Sequence, residues 1–351
     1  MKPSHTQWLI PFAVQLIPGG ILFLGLFYIK ESPRWLMMRG HRKQALRNLN
    51  WLRRLESSHS YIIEEVSAID SSLEEQRTTV GLGFWQPFKT IFQDKRVLYR
   101  VLLGGSLFFW QNGTGINAIN YYSPTVFSYI GITGVNTSLF TTGIFGLIKF
   151  LITFAWLFIL IDKVGRRKLF MIGAFGGSLS LWYVGGYIAV ADPIAHPSAT
   201  LSRGGISAMA FFYIWTAFYA PSWNGTPWVV NSEIYPQHIR NLGQTFASSN
   251  NWFWNFLVVR FTPQMLKSMG YGAWFFFASF MALSGVFVFF LLPETKGIPL
   301  EYMERLFDPT LAPRKAHSIV MAELQGNEEA VNQALDPLDA EKAAVEHVSE
   351  K

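Results

Sequence analysis

Seven long apolar stretches recur along the chain, separated by polar or charged connections. An α-helix needs about 20 predominantly apolar residues to cross a bilayer, and each stretch is close to that length. Repeated stretches of this kind are typical of a multi-pass membrane protein. The pattern predicts seven transmembrane helices, at residues 8–29, 98–122, 139–161, 169–190, 206–230, 244–262 and 274–292.

Composition supports this interpretation and excludes several other classes. Half of the 351 residues are hydrophobic and only 15% are charged, whereas soluble domains carry about 25% charge. The absence of cysteine excludes disulfides and thiolate metal sites, and the seven histidines lie outside the apolar stretches or at their ends. We therefore expect no cofactor and no metal. The net charge of +6 indicates basic cytoplasmic loops and not a nucleic-acid partner.

The distribution of lysine and arginine sets the orientation, because these residues accumulate in cytoplasmic connections. Basic residues are dense at 30–54 and again at 163–168. The connections at 131–138, 191–205 and 263–272 contain only Arg203 and Lys267 between them. The first two segments are therefore expected in the cytoplasm and the other three outside. This arrangement puts the first residue of the chain outside and the last one inside.

Two segments outside the apolar stretches have distinct patterns. The connection at 31–96 contains helical repeats at 42–56 and 61–76 whose charged and apolar faces suit amphipathic helices at a membrane surface or at the edge of a domain. The segment 308–351 is rich in Ala, Glu and Lys and lacks aromatic residues, so it cannot bury enough apolar surface to fold alone. We expect a helical cytoplasmic linker in the first segment and a mostly disordered cytosolic tail in the second.

Amide side chains lie inside the second apolar stretch, where an unpaired amide would cost several kcal/mol. Gln111, Asn117 and Tyr121 have the spacing that places side chains on one helical face, and Gly113 and Gly115 thin the helix among them. A helical face that carries both hydrogen-bond donors and acceptors suits a polyhydroxylated ligand. In the alternative interpretation, the amides only bond neighbouring helices.

Similar polar groups interrupt the fifth and sixth stretches, at 223–228 and 250–255. The first contains Gly225 and Pro227, which tend to break a helix. Broken helices that line a midplane site are common in transporters. Glycine and proline are frequent in membrane helices anyway, so this pattern alone indicates a site only weakly.

Lys149 is the one lysine deep inside an apolar stretch. It lies about twelve residues before Asp162, or roughly 18 Å along a helix, which places it near the midplane. A lysine there costs about 2.5 to 3.5 kcal/mol, so we expect it to face a cavity and bind an anionic group. The alternative is a lysine bonded to helix carbonyls or water. Arg260 is the rival cation, but it lies near the outer interface, where snorkelling is cheap.

Five short motifs follow one another in a recognisable order. They are "ESPRWL" at 31–36, "QNGTGINAINYY" at 111–122, "DKVGRR" at 162–167, "SEIYPQHIR" at 232–240 and "PETKG" at 293–297. Together they resemble the signature motifs of the sugar porter family of the major facilitator superfamily. The resemblance implies an all-α membrane protein with a partial major facilitator fold, in a chain that is not an enzyme. No acid, base or nucleophile constellation lies inside the apolar stretches either.

In that family, twelve helices form two six-helix bundles, and the resemblance makes these seven stretches helices six to twelve. The chain is then an N-terminally truncated fragment: 1–30 is the last helix of the N-terminal bundle, 31–96 the cytoplasmic linker, 97–307 the C-terminal six-helix bundle and 308–351 the tail. The resemblance also implies cytoplasmic salt bridges that hold the outward-facing state. Carried over, the gating residues are Glu31, Arg34, Asp162, Arg166, Arg167, Glu233 and Arg240.

The substrate can be narrowed by the same resemblance. The runs at 108–127 and 250–265 resemble the quinate permeases of filamentous fungi, which carry a polyhydroxylated cyclic acid. We therefore expect plasma-membrane transport of quinate or a sugar by alternating access, with proton symport in the full-length form and an inactive fragment. A hexose or polyol transporter and a transport-dead nutrient sensor are the alternatives. The predicted substrate-binding residues are Gln111, Asn112, Asn117, Tyr121, Tyr122, Lys149, Asn224, Trp228, Asn251 and Asn255.

Overall fold

The computed structural model describes residues 5–79, 85–131, 135–196, 202–236, 238–299, 302–308 and 310–326. All regular elements in these ranges are helices, which confirms the predicted all-α class. The chain divides into two compact units, Met1–Gly83 and Phe84–Lys351.

The first unit contains the first apolar helix and the amphipathic helices of the linker. Its helices are α1 (His5–Leu26), α2 (Pro33–Met38), α3 (Arg42–Arg53) and α4 (Ser60–Thr79). The apolar faces of α2, α3 and α4 form a small core around Leu36, Leu49 and Ile62. Arg53 pairs with Glu65 at 2.8 Å and so links α3 to α4. Both amphipathic helices predicted in the linker are therefore confirmed.

The second unit contains the other six apolar stretches, all of which are helical. Three of them are interrupted: one by a break at Thr114 and Gly115, and two by a π-helical turn. The helices are α5 (Gln86–Gln93), α6 (Lys95–Gly113), α7 (Ile116–Tyr129), α8 (Val135–Ala155), a π-helix (Trp156–Leu160), α9 (Ile161–Val164), α10 (Arg166–Ala191), α11 (Arg203–Tyr219), a π-helix (Ala220–Asn224), α12 (Thr226–Glu233), α13 (Arg240–Met269), α14 (Gly272–Leu291), α15 (Met303–Leu306) and α16 (Pro313–Leu324).

Helix α10 lies at the centre of this unit and packs against α11 and α14. Its glycines allow the close approach, since a Cβ at Gly173 would overlap the Ser222 side chain and one at Gly177 would overlap Met281. Large buried aromatic residues, including Trp215 and Trp274, fill the space beside them. This close packing places the π-helical segment of the fifth stretch directly against α10.

Three helices in the described part of the chain are long and apolar enough to cross a bilayer, at Phe140–Val164, Arg166–Ala191 and Gly272–Leu291, and Phe12–Leu26 is a shorter apolar helix. The helices of the other stretches are too short or not apolar enough, each for a local reason. Breaks divide the stretches that contain α6 and α11, and amide side chains lower the mean hydropathy of α13.

The tail differs from the sequence-based expectation. The sequence predicts a mostly disordered segment from Asp308 onward, but α16 buries Ala316, Ile319 and Val320 in the core of the second unit. The prediction was wrong for this part because the segment, though too polar to fold alone, packs on an existing apolar surface. Arg305 also holds it, pairing with Glu323 at 3.0 Å and Asp308 at 3.1 Å. The rest of the predicted tail lies outside the described residues.

Replacing Arg305 with methionine should loosen α16. Its two ion pairs are partly exposed, so we expect a loss of about 1 kcal/mol, seen as faster proteolysis after Asp308. Burial raises the pKa of Asp308, but hydrogen bonds from Thr310 and the charge of Arg305 outweigh it and leave that pKa below its ordinary value. The ionised carboxylate therefore stabilises the fold at neutral pH, and this contribution is lost as the pH falls. Ser318→Ala, which keeps both ion pairs, is the control; equal proteolysis of the two variants would contradict the prediction.

Candidate binding site and charge cluster

Gln111 connects α6 to the broken helix of the fifth stretch. Its Nε2 donates to the carbonyls of Trp223 at 2.7 Å and Asn224 at 3.0 Å, and the residue is only 7% exposed. These two carbonyls lie at the end of the π-helix, where the regular helical bonding is interrupted. Gln111 thus satisfies backbone groups that the break would otherwise leave unpaired.

A row of amides continues from Asn112. Asn117 Nδ2 donates to Asn112 Oδ1 at 2.6 Å, and Asn112 Nδ2 donates to Asn251 Oδ1 at 2.9 Å. Asn112 is buried, while Asn117 and Asn251 are half-buried. The outer ends of the row, Asn117 Oδ1 and Asn251 Nδ2, make no hydrogen bond to the described residues. One acceptor and one donor therefore remain for a ligand.

The helix break at Gly115 changes one expectation. Gly115 has φ +83°, a left-handed conformation that glycine adopts without strain, and it separates α6 from α7. The spacing that placed Gln111, Asn117 and Tyr121 on one face of one helix therefore does not apply. Gln111 and Asn117 both make hydrogen bonds inside the second unit, whereas the Tyr121 side chain is 59% exposed.

Lys149 lies on α8, beside the same broken helix. One turn further along, Thr153 Oγ1 accepts a hydrogen bond from Asn224 Nδ2 at 3.3 Å, and residues four apart share a helical face. Lys149 is half-buried, and its ammonium makes no hydrogen bond or ion pair to the described residues. The geometry thus places an unpaired cation on the face of α8 that contacts Asn224.

The remaining predicted binding residues lie at two other places. Tyr121, Tyr122 and Asn255 line an open cavity of about 480 Å³ between α7 and α13, and the Tyr122 hydroxyl donates to the Val259 carbonyl at 3.2 Å. Trp228 is 44% exposed and packs edge-on against Phe108, with 4.6 Å between ring centroids. Within the described part of the chain, no hydrogen bond joins these four residues to the amide row.

The predicted charge cluster forms around Arg166 at the start of α10. Arg166 pairs with Glu233 at 2.9 Å and with Asp162 at 3.3 Å. The Thr295 hydroxyl donates to the second Glu233 oxygen at 2.7 Å. Glu233 therefore joins three segments: the end of α12, the start of α10 and the connection after α14.

The other predicted gating residues have different partners. Arg167 Nη2 donates to the Phe289 carbonyl at 2.7 Å, and Arg240 Nη2 donates to the Tyr235 carbonyl at 3.3 Å. Glu31 and Arg34 belong to the first unit, where the Glu31 carbonyl accepts from Asn48 Nδ2 at 2.9 Å.

Comparisons with known proteins agree with these features. A family described as "Sugar (and other) transporter" matches residues 1–307. The chain belongs to this sugar transporter family. It is 58% identical over its whole length to a probable quinate permease of Neosartorya fischeri, of which it covers 65%, and 60% identical over 94% of its length to the quinate permease of Emericella nidulans, of which it covers 62%. It thus spans less than two thirds of these relatives.

Solved structures show the same family resemblance. A double tryptophan mutant of XylE superposes with a TM-score of 0.67 at 28% identity, covering 86% of this chain and 59% of that one. The inward-open xylose transporter XylE from E. coli gives 0.60 at 26% identity, covering 88% and 60%. The sugar transporter chain is accordingly a multi-pass membrane protein with part of the major facilitator fold, and its relatives are permeases and transporters, not enzymes.

Sequence reasoning about this sugar transporter chain missed Glu294. Its carboxylate accepts from the backbone N–H groups of Arg166 at 2.8 Å and Arg167 at 3.1 Å, the first two residues of α10. A carboxylate at a helix N-terminus accepts hydrogen bonds from free backbone N–H groups and interacts favourably with the positive end of the helix dipole. The "PETKG" motif contained the signal, but no sequence pattern linked that acid to a helix more than a hundred residues earlier.

A buried polar contact between α6 and α12 was also missed. Asn231 Nδ2 donates to the Gly104 carbonyl at 3.3 Å, and the Tyr235 hydroxyl donates to Asn231 Oδ1 at 2.6 Å. A Cβ at Gly104 would overlap both side chains. The pair of glycines at 104 and 105 was the available signal, since small residues in membrane helices allow close approach.

Proposed function

We propose that the chain is part of a transporter that carries quinate, or a close polyhydroxylated cyclic acid, across the plasma membrane by alternating access. The observation that carries the proposal is Lys149, which makes no hydrogen bond or ion pair to the described residues and lies one turn from Thr153, the hydrogen-bond partner of Asn224. The relatives at 58% and 60% identity are named quinate permeases. A cyclic acid of this class presents hydroxyls and one carboxylate, which is the chemistry that amides and an ammonium bind.

The proposed site divides these tasks between two surfaces. Asn117 Oδ1 and Asn251 Nδ2 bind hydroxyls, one as acceptor and the other as donor. Lys149 binds the carboxylate from the neighbouring helix, and Gln111 keeps the π-helical segment in place between them. A neutral sugar would leave the ammonium unpaired, and an unpaired charge at membrane depth is costly. The charge of Lys149 therefore favours an acid over a hexose or polyol.

The remaining expectations complete the proposal. The full-length form couples quinate entry to protons. The division into 1–30, 31–96, 97–307 and 308–351 stays a prediction, as does the gating role of the charge cluster around Arg166. Alternating access requires two bundles that move against each other, and the chain spans 65% of the Neosartorya relative. We therefore expect no transport by these 351 residues alone.

Expression in a yeast that lacks quinate uptake tests the proposal. The chain alone should give no uptake of labelled quinate. A chimera that adds the preceding part of the Emericella nidulans permease should give saturable, pH-dependent uptake. Quinate uptake by the chain alone would contradict the fragment hypothesis. A chimera that reaches the cell surface and carries glucose but not quinate would contradict the proposed substrate.

A further inference from the structure

Arg260 lies in the cavity between α7 and α13 and has no assigned role. The cavity, of about 480 Å³, is lined by Arg260 together with Tyr121, Tyr122 and Asn255, and by the aromatic ring of Trp252. It therefore combines one cation, two phenols, an amide and an aromatic wall. This is the same combination of groups that a polyhydroxylated acid needs, at a place separate from Lys149.

A neighbouring side chain fixes the guanidinium. When the Gln264 amide is oriented with its oxygen toward Arg260, Oε1 accepts from Arg260 Nη1 at 2.6 Å and Nε2 donates to the Arg260 carbonyl at 2.8 Å. In the opposite orientation the Gln264 NH2 group would face the Arg260 N–H donors, and the two carbonyl oxygens would face each other. The hydrogen bonds therefore select the orientation described here. An arginine that only snorkels to the interface would need no such partner. No other hydrogen bond from the described residues reaches the guanidinium, so its remaining N–H groups are free for a carboxylate.

The two cations lie at different depths. Arg260 is twenty residues from Arg240, where α13 begins, and so roughly 30 Å along the helix from the end that the charge distribution predicts to be cytoplasmic. Lys149 lies roughly 18 Å from the cytoplasmic Asp162 by the same measure. Measured along the two helices from their predicted cytoplasmic ends, Arg260 is about 12 Å further toward the outside than Lys149.

We infer that Arg260 forms an outer subsite that binds the carboxylate of the substrate before it reaches Lys149. This inference rests on the proposed function, since it assumes an anionic, polyhydroxylated substrate. Arg260 binds the carboxylate through its free N–H groups, and Asn255 with the tyrosine hydroxyls contacts the ring hydroxyls. Because Arg260 contacts the substrate directly, it sets how well the substrate is captured from outside and not how fast the bundles rearrange.

Transport from the two sides of the membrane tests the subsite in the full-length chimera. Arg260→Gln should raise the KM for quinate entry at least tenfold in right-side-out vesicles and leave the maximal rate unchanged. In inside-out vesicles the same variant should show an unaltered KM, because quinate then reaches Lys149 from the cytoplasmic side. Arg260→Lys keeps the positive charge but lacks the planar guanidinium, so its KM for quinate entry should lie between those of Arg260→Gln and wild type. An equal KM for Arg260→Gln and wild type from outside would overturn the subsite.

Lys267→Gln is the matched control, since Lys267 is an exposed cation two turns further along α13 and outside the cavity. It should change the outer KM less than twofold. A tenfold effect of Lys267→Gln would mean that surface charge alone attracts the anion, and would contradict a specific subsite. The proposed function fails separately: a chimera that carries no quinate in either direction refutes that proposal, whereas quinate transport that is insensitive to Arg260→Gln refutes only the subsite.

Discussion

Replacing Lys149 with methionine in the full-length transporter should abolish quinate binding without unfolding the protein. Lys149 is half-buried and unpaired among the described residues, so its charge is free for a ligand. Losing a charge-assisted contact to a carboxylate should weaken quinate at least a hundredfold, or about 2.8 kcal/mol. Quinate-induced quenching of tryptophan fluorescence in the purified protein measures this loss.

The stability of the same variant separates binding from structure. A lysine at the midplane costs about 2.5 to 3.5 kcal/mol on insertion, so methionine should leave the melting temperature unchanged or higher. Thr153→Val, one turn along the same face of α8, is the control. It removes the hydrogen bond from Asn224 but keeps the ammonium, and should weaken quinate less than tenfold. Unchanged quinate affinity in Lys149→Met would return this lysine to a structural role and remove the main argument for an acidic substrate.

Periodicity and length were enough to predict the helices. All seven apolar stretches and both linker repeats are helical, because burial of an apolar face or immersion in lipid imposes the same pattern on every membrane helix. The breaks were harder to place. Proline and glycine at 225–227 indicated one, and the structure has a π-helix beside them. The break at Gly115 was treated as thinning of a continuous helix, since a left-handed φ cannot be read from a glycine alone.

Contacts between distant segments limited what could be predicted of the site. The amides were correctly expected to need polar partners, but some of those partners are backbone carbonyls, such as Trp223 for Gln111. Backbone groups have no sequence signature. Glu294 illustrates the same limit, since it caps the start of α10 although it lies 128 residues later in the sequence. The sequence pattern therefore identified which side chains are unusual, and only the fold shows what each one touches.

Removing the charge of Glu233 should destabilise the second unit far more than removing that of Asp162, although both acids pair with Arg166. The Glu233 and Arg166 side chains are 17% and 13% exposed, whereas Asp162 is 83% exposed. Exposed pairs contribute about 0 to 1 kcal/mol, and breaking a fully buried pair costs about 3 to 5 kcal/mol. We expect about 2 kcal/mol for Glu233→Gln, between these limits, and little change for Asp162→Asn.

Thermal unfolding of the purified chain in detergent, followed by tryptophan fluorescence, measures the difference. Glu233→Gln should lower the melting temperature by roughly 4 to 8 °C, while Asp162→Asn should stay within about 1 °C of wild type. A contribution of about 2 kcal/mol changes the ratio of two conformational populations roughly thirtyfold. An ion pair of this strength favours one state but can still break during transport. If the two variants melt together, solvent screens the Glu233 pair as fully as the Asp162 pair. The cluster would then be too weak to act as a latch.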